Sequence, residues 1–124
     1  MKHLICSLGF LLTASCASLK PQHPYNGTWI LKQQTGGFAG RATTLKTETK
    51  LVIKNDKMRT YENGKLLSEE LFKVEKGKVI QSSEPQDVLA TNRIMKQSIA
   101  VKGDTLIIAD QCYDCFTYRY ERKK

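Results

Sequence analysis

Leu45-Lys46-Thr47-Glu48-Thr49-Lys50-Leu51-Val52-Ile53-Lys54 is the stretch that decides the fold. Leu45, Thr47, Thr49, Leu51 and Ile53 alternate with Lys46, Glu48, Lys50, Val52 and Lys54. That period of two turns one face of an extended strand toward a core and leaves the other for water. No helical period competes with it elsewhere in the 124 residues.

Outward from this strand, turn signals punctuate the chain at Asn55-Asp56, Asn63-Gly64, Lys76-Gly77, Glu84-Pro85 and Gly103-Asp104. Asn63-Gly64 is the strongest, because both residue types tolerate the positive φ of a two-residue hairpin. The punctuation predicts eight strands, near 27–34, 43–54, 57–62, 65–75, 78–83, 93–102, 104–110 and 116–123. Segments 35–42 and 84–92 are left as joins, the second with room for a short helical turn after Pro85. The expected fold is therefore all-β, a single antiparallel meander closing into a small eight-stranded barrel, since closure removes exposed strand edges.

Upstream of the strands, Met1-Lys2-His3 is a short basic start, followed by eleven uncharged residues from Leu4 to Ala14. This is the plan of a secretory signal peptide, and the run is too short to span a bilayer as a helix, which takes roughly 20 residues. Leu12-Thr13-Ala14-Ser15-Cys16 resembles a bacterial lipobox, in which the leader is cut before a cysteine that is then acylated. The resemblance implies a signal peptide over residues 1–15, lipidation at Cys16, and a tether over residues 16–26 that contains Pro21 and Pro24. It also implies a cell-envelope location, lipid-anchored at the outer membrane on its periplasmic or surface face, with the membrane as a partner through the Cys16 lipid. The barrel domain is expected over residues 27–124.

Loss of the leader leaves 109 residues and, because Lys2 is its one cation and it holds no acid, lowers the net charge from +8 to +7. One domain fits that length. Lysines recur singly from Lys46 to Lys102, often beside glutamates, the pattern of solvated strand edges. Only Arg119, Arg122, Lys123 and Lys124 gather, at the end of the chain. This dispersal argues against a nucleic-acid partner.

Gly27-Thr28-Trp29 on the first strand, with arginines on the last, is similar to the short lipocalin-like domains of bacterial lipoproteins. In lipocalins the tryptophan of such a Gly-x-Trp motif plugs one end of the barrel and a late arginine packs over it. The resemblance implies that Gly27, Trp29 and either Arg119 or Arg122 close the barrel here. A guanidinium over an indole gains about 0.5–2 kcal/mol. The resemblance further implies a non-enzymatic domain that binds a small apolar or amphipathic ligand. On the strand pattern, Leu45, Thr47, Thr49, Leu51 and Ile53 would line its cavity together with Phe116, Tyr118 and Tyr120 of the last strand. An eight-stranded barrel can hold one small ligand or be filled by its own side chains. A packed structural or interaction lipoprotein of the envelope is thus the alternative.

Cys6 leaves with the leader and Cys16 is assigned to lipid, so Cys112 and Cys115 form the remaining pair. In an oxidising compartment a disulfide is the first reading. Free thiols and a redox or metal-handling pair are the others. No metal ligand set or cofactor is expected, because His23 is the one histidine left after cleavage. Glu69 and Glu70 are adjacent on a strand and point to opposite faces, so they make no side-by-side carboxylate pair. There is no phosphate loop and no Gly-x-Ser-x-Gly.

Overall fold

The computed structural model describes residues 24–37, 41–43, 45–92 and 95–124. The leader, Cys16 and the tether as far as His23 lie outside the described residues. Among those described, the fold is all-β: one antiparallel sheet of ten strands. In chain order they are β1 (Gly27–Gly36), β2 (Arg41–Thr43), β3 (Thr49–Lys54), β4 (Lys57–Glu62), β5 (Lys65–Leu71), β6 (Lys73–Val79), β7 (Ser82–Ala90), β8 (Gln97–Lys102), β9 (Thr105–Asp110) and β10 (Phe116–Arg122).

The meander is wrapped on itself. Its spatial order is β5-β4-β3-β1-β10-β9-β8-β7-β6, with the short β2 pairing separately with β1. The first strand therefore pairs with the last, Trp29 opposite Arg122 and Leu31 opposite Tyr120. The two free margins are β5 and β6, which follow one another in the chain around Phe72 but are not neighbours in the sheet. The eight-stranded closed barrel is corrected to this ten-stranded open wrap. Ladder pairing stops at β5 and β6 because the chain turns inward between them: Phe72 is buried, and its N–H donates to the Asp56 carbonyl at 2.9 Å instead of to a ladder partner.

The remaining differences from the expected strands have local causes. The segment 43–54 is two pieces, β2 and β3, with Leu45 to Glu48 outside either strand. The segment 65–75 is broken by the inward turn at Phe72. The join expected over 84–92 is largely strand: β7 runs through Pro85 to Ala90. Proline, which lacks a backbone donor, is tolerated on the open side of a strand. β7 meets β8 only at Val88 and Leu89, so Pro85 faces no ladder on that side.

Turn chemistry behaves as its residue types dictate. Asn63 and Gly64 have φ of 49° and 80°, both positive as the two-residue hairpin between β4 and β5 requires. Inward positions of the strands supply one buried cluster that includes Trp29, Leu31, Leu51, Ile53, Met58, Leu89, Ile99, Leu106, Ile108 and Tyr120. Tyr25 belongs to it as well, and Asn26 accepts hydrogen bonds from Asn55 N and Arg122 Nη1, so both residues, read from the sequence as the end of the tether, are part of the packed body.

Candidate functional site

The two ends of the wrap differ. At the end where β1 begins, Trp29 is fully buried and its Nε1–H donates to the Tyr25 carbonyl at 2.9 Å. The Arg122 guanidinium lies 4.2 Å from the indole ring centre. Its Nη1 donates to the Asn26 carbonyl at 2.8 Å, and Asp104 Oδ1 stands 3.7 Å from Nε. Gly27 makes this possible. A Cβ there would sit 2.5 Å from Arg122 Nη1, and its φ of 143° is one that side chains rarely adopt. Of the two candidate arginines, the structure brings Arg122 onto Trp29; Arg119 pairs in register with Gln33 and is exposed.

Tyr25 carries a polar link across the same end. Its hydroxyl donates to Asp87 Oδ2 of β7, with the Ile99 carbonyl 3.4 Å away. Lys76 Nζ of β6 pairs with Asp87 Oδ1 at 2.7 Å. Burial, then the hydrogen bond to Asp87 and the carboxylate's charge, raise the Tyr25 hydroxyl well above its ordinary value. The hydrogen bonds from Lys76 and then Tyr25 hold the Asp87 carboxyl below its ordinary value against a smaller opposing effect of burial. Sequence reading missed this network. Tyr25 sits among prolines and polar residues, with no strand pattern to mark it as core.

Above Trp29 the wrap encloses an open cavity of about 270 Å³. Leu51 and Thr49 of β3, Met58 and Thr60 of β4, and Gln97 of β8 all face it, although β4 and β8 are separated in the sheet by β3, β1, β10 and β9. Only a strongly curled sheet brings those strands to one space. Leu31 and Gln34 of β1 and Ile108 of β9 complete the wall with Tyr118 and Tyr120. Gln34 reaches it through a bulge. The register slips between Leu31 and Gln33, so Lys32 and Gln33 are both exposed and Gln34 returns to the inner face.

Of the residues expected to line a cavity, Thr49, Leu51, Tyr118 and Tyr120 do so. Ile53 is buried deeper and is not part of this wall. Leu45 packs against the core from outside the strands. Thr47 is corrected: it lies before β3, is exposed, and its hydroxyl bonds Glu62 Oε1 at 3.2 Å. Phe116 is corrected too: it packs at a tilt against Tyr118, ring centres 6.3 Å apart, and is not itself part of the cavity wall. The lining residues missed by sequence lie on strands whose inward parity was not readable without the register.

Cys112 and Cys115 form a disulfide with Cα atoms 5.4 Å apart, closing the turn between β9 and β10 at the cavity end. Among the described residues no three His, Cys, Asp or Glu side chains gather as a metal-ion cage would require. Lipidation of Cys16 lies outside the described residues. In comparisons with protein families, curated proteins and solved structures, no family model, no curated protein and no solved structure matches this chain.

Proposed function

We propose that this protein is a lipid-anchored protein of the bacterial cell envelope, held at the outer membrane through Cys16, whose lipocalin-like sheet binds a small apolar or amphipathic molecule without chemical conversion. The observation that carries the reading is the cavity above Trp29, where Leu31, Leu51, Met58 and Ile108 supply apolar wall and Gln34, Thr49, Thr60, Gln97, Tyr118 and Tyr120 add hydrogen-bonding groups. Small-molecule sites likewise combine apolar walls with placed polar groups. Its 270 Å³ lies just below the roughly 300–1,000 Å³ of sites for drug-sized ligands, which suits one small molecule or one short acyl chain.

Native mass spectrometry of the purified protein tests this. A lipid-sized adduct that a fluorescent lipid analogue displaces is the expected result; a clean protein that takes up no analogue overturns it. For the anchor, Cys16→Ala should move the protein from the membrane fraction to the soluble fraction, and unchanged membrane association would sink that part of the reading.

A second reading, an interaction lipoprotein of the envelope, draws on one observation. The unpaired margin β5 exposes Leu66 at 48%, Leu67 at 57% and Leu71 at 64%. An exposed apolar edge strand is a template for strand pairing. Replacing all three leucines by serine should abolish any envelope complex seen on cross-linking while leaving the lipid adduct intact; a complex that survives the change would count against this reading.

A further inference from the structure

The cavity is built in two tiers, and the upper tier specifies the ligand. On four strands the inward position nearer Trp29 is apolar and the next inward position, toward the mouth, is polar but uncharged. Going from Trp29 toward the mouth, Leu51 is followed by Thr49 on β3, and Met58 by Thr60 on β4. Leu31 precedes Gln34 on β1 across the bulge. On β8, in the same direction, Ile99 of the core is followed by Gln97. Two hydroxyls and two carboxamides thus stand above an apolar floor, and the phenols of Tyr118 and Tyr120 on β10 line the same cavity.

No lysine, arginine or histidine lines this cavity among the described residues. Arg122 is committed to the far side of Trp29, and Arg119 faces solvent. Lys76, on β6, is paired with Asp87. The ionisable side chains set opposite lining positions in the ladders are acids: Glu62 across from Thr49, Glu70 across from Met58, and Asp110 across from Gln97. Gln97 Nε2 donates to Asp110 Oδ1 at 2.8 Å, which fixes the carboxamide at the edge of the cavity.

A carboxylate brought into such a site loses water, meets no cation among the described residues and lies beside the acids Glu62, Glu70 and Asp110, the arrangement that makes burial of an ion most costly. A hydroxyl, ester or amide head finds donors and acceptors of its own kind. We infer that the ligand is a neutral amphipath, an apolar chain with an uncharged hydrogen-bonding head, and that fatty-acid anions are discriminated against. This rests on the proposed binding function and narrows it to a chemical class.

Matched-chain probes test the inference. Titration calorimetry of the purified protein at pH 8 with 1-decanol, decanamide and decanoate should give at least tenfold tighter binding for the alcohol and the amide than for the anion. Decanoate binding as tightly as decanol, or tighter, overturns the inference while leaving the binding function standing. Binding of none of the three overturns the binding function itself, and the inference with it. In the reverse direction, Thr60→Lys places a cation in the upper tier and should bring decanoate to parity with decanol or beyond; Gln34→Arg is the second variant should Thr60→Lys not fold. A folded variant whose preference is unmoved also overturns the inference.

Discussion

The two ends of the wrap are assembled from the same strands and held by different means. At the Trp29 end, closure is by packing and by the ends of the chain. The indole is fully buried, Arg122 covers it, and Lys123 N donates to the Thr28 carbonyl at 2.8 Å. At the mouth, polar side chains border space, and the nearby turn is fixed covalently by Cys112–Cys115. The contrast separates residues that stabilise the fold from residues that set what the cavity accepts. Substitutions at the floor should register in stability, and those in the upper tier in ligand choice.

Trp29→Ala should break the comparison most severely, costing about 3–5 kcal/mol in chemical denaturation as expected for a large core aromatic. A loss under about 1 kcal/mol would mean that the plug is not the anchor of the core. Removing the Cys112–Cys115 bridge by a double alanine change should cost about 2 kcal/mol, the loop-entropy value for a four-residue ring. That loss should vanish when wild type and variant are compared under reducing conditions.

Tyr25→Phe should cost roughly 1 kcal/mol, the net contribution of one hydrogen bond, and it should alter the pH profile of stability at both extremes. The Asp87 carboxyl is depressed in the folded protein, so its contribution is present at neutral pH and is lost as pH falls below its ordinary value near 3.8. The Tyr25 hydroxyl is raised, so its contribution is present below its ordinary value of 10.0 and is lost as pH climbs beyond it. Urea midpoints at pH 3, 7 and 10.5 should therefore fall less steeply toward acid in Asp87→Asn, and less steeply toward alkali in Tyr25→Phe, than in the wild type. The smallest stability effects belong to Thr49→Val and Thr60→Val, within about 0.5 kcal/mol. If either instead unfolds the protein, the division between a stabilising floor and a selective rim is wrong.

Much of this architecture is written locally. The alternation through Leu51 and Ile53 marks the inner face of β3, and Asn63-Gly64 marks the hairpin turn from β4 to β5, because each signal depends only on neighbouring residues. Lys76-Gly77 and Glu84-Pro85 read as turns by composition, yet both lie within strands, β6 and β7. Whether a proline or glycine ends a strand depends on which of its sides meets a partner, and that is decided by residues far away in the chain. The same limit hid Gln34, whose inward direction follows from a one-residue slip against β10, and Tyr25, whose burial depends on Asp87 and Ile99 some sixty to seventy-five residues later. The Gly27-x-Trp29 pair could be read in advance as far as a late arginine; choosing Arg122 over Arg119 required the register of β10.

The pairing of β1 with β10 also governs how the molecule comes into being. A meander alone could zip up hairpin by hairpin as each turn forms, but here the sheet's central ladder joins the first strand to the last. Topologies dominated by such distant pairings fold slowly, in about milliseconds to seconds, because the ends must meet before their contacts count. A chain still lacking its final residues can hold hairpins such as β3–β4 and β8–β9, yet Trp29 stays open to water until Arg122 arrives. The strand that completes the floor of the cavity is synthesised after the other nine strands of the sheet.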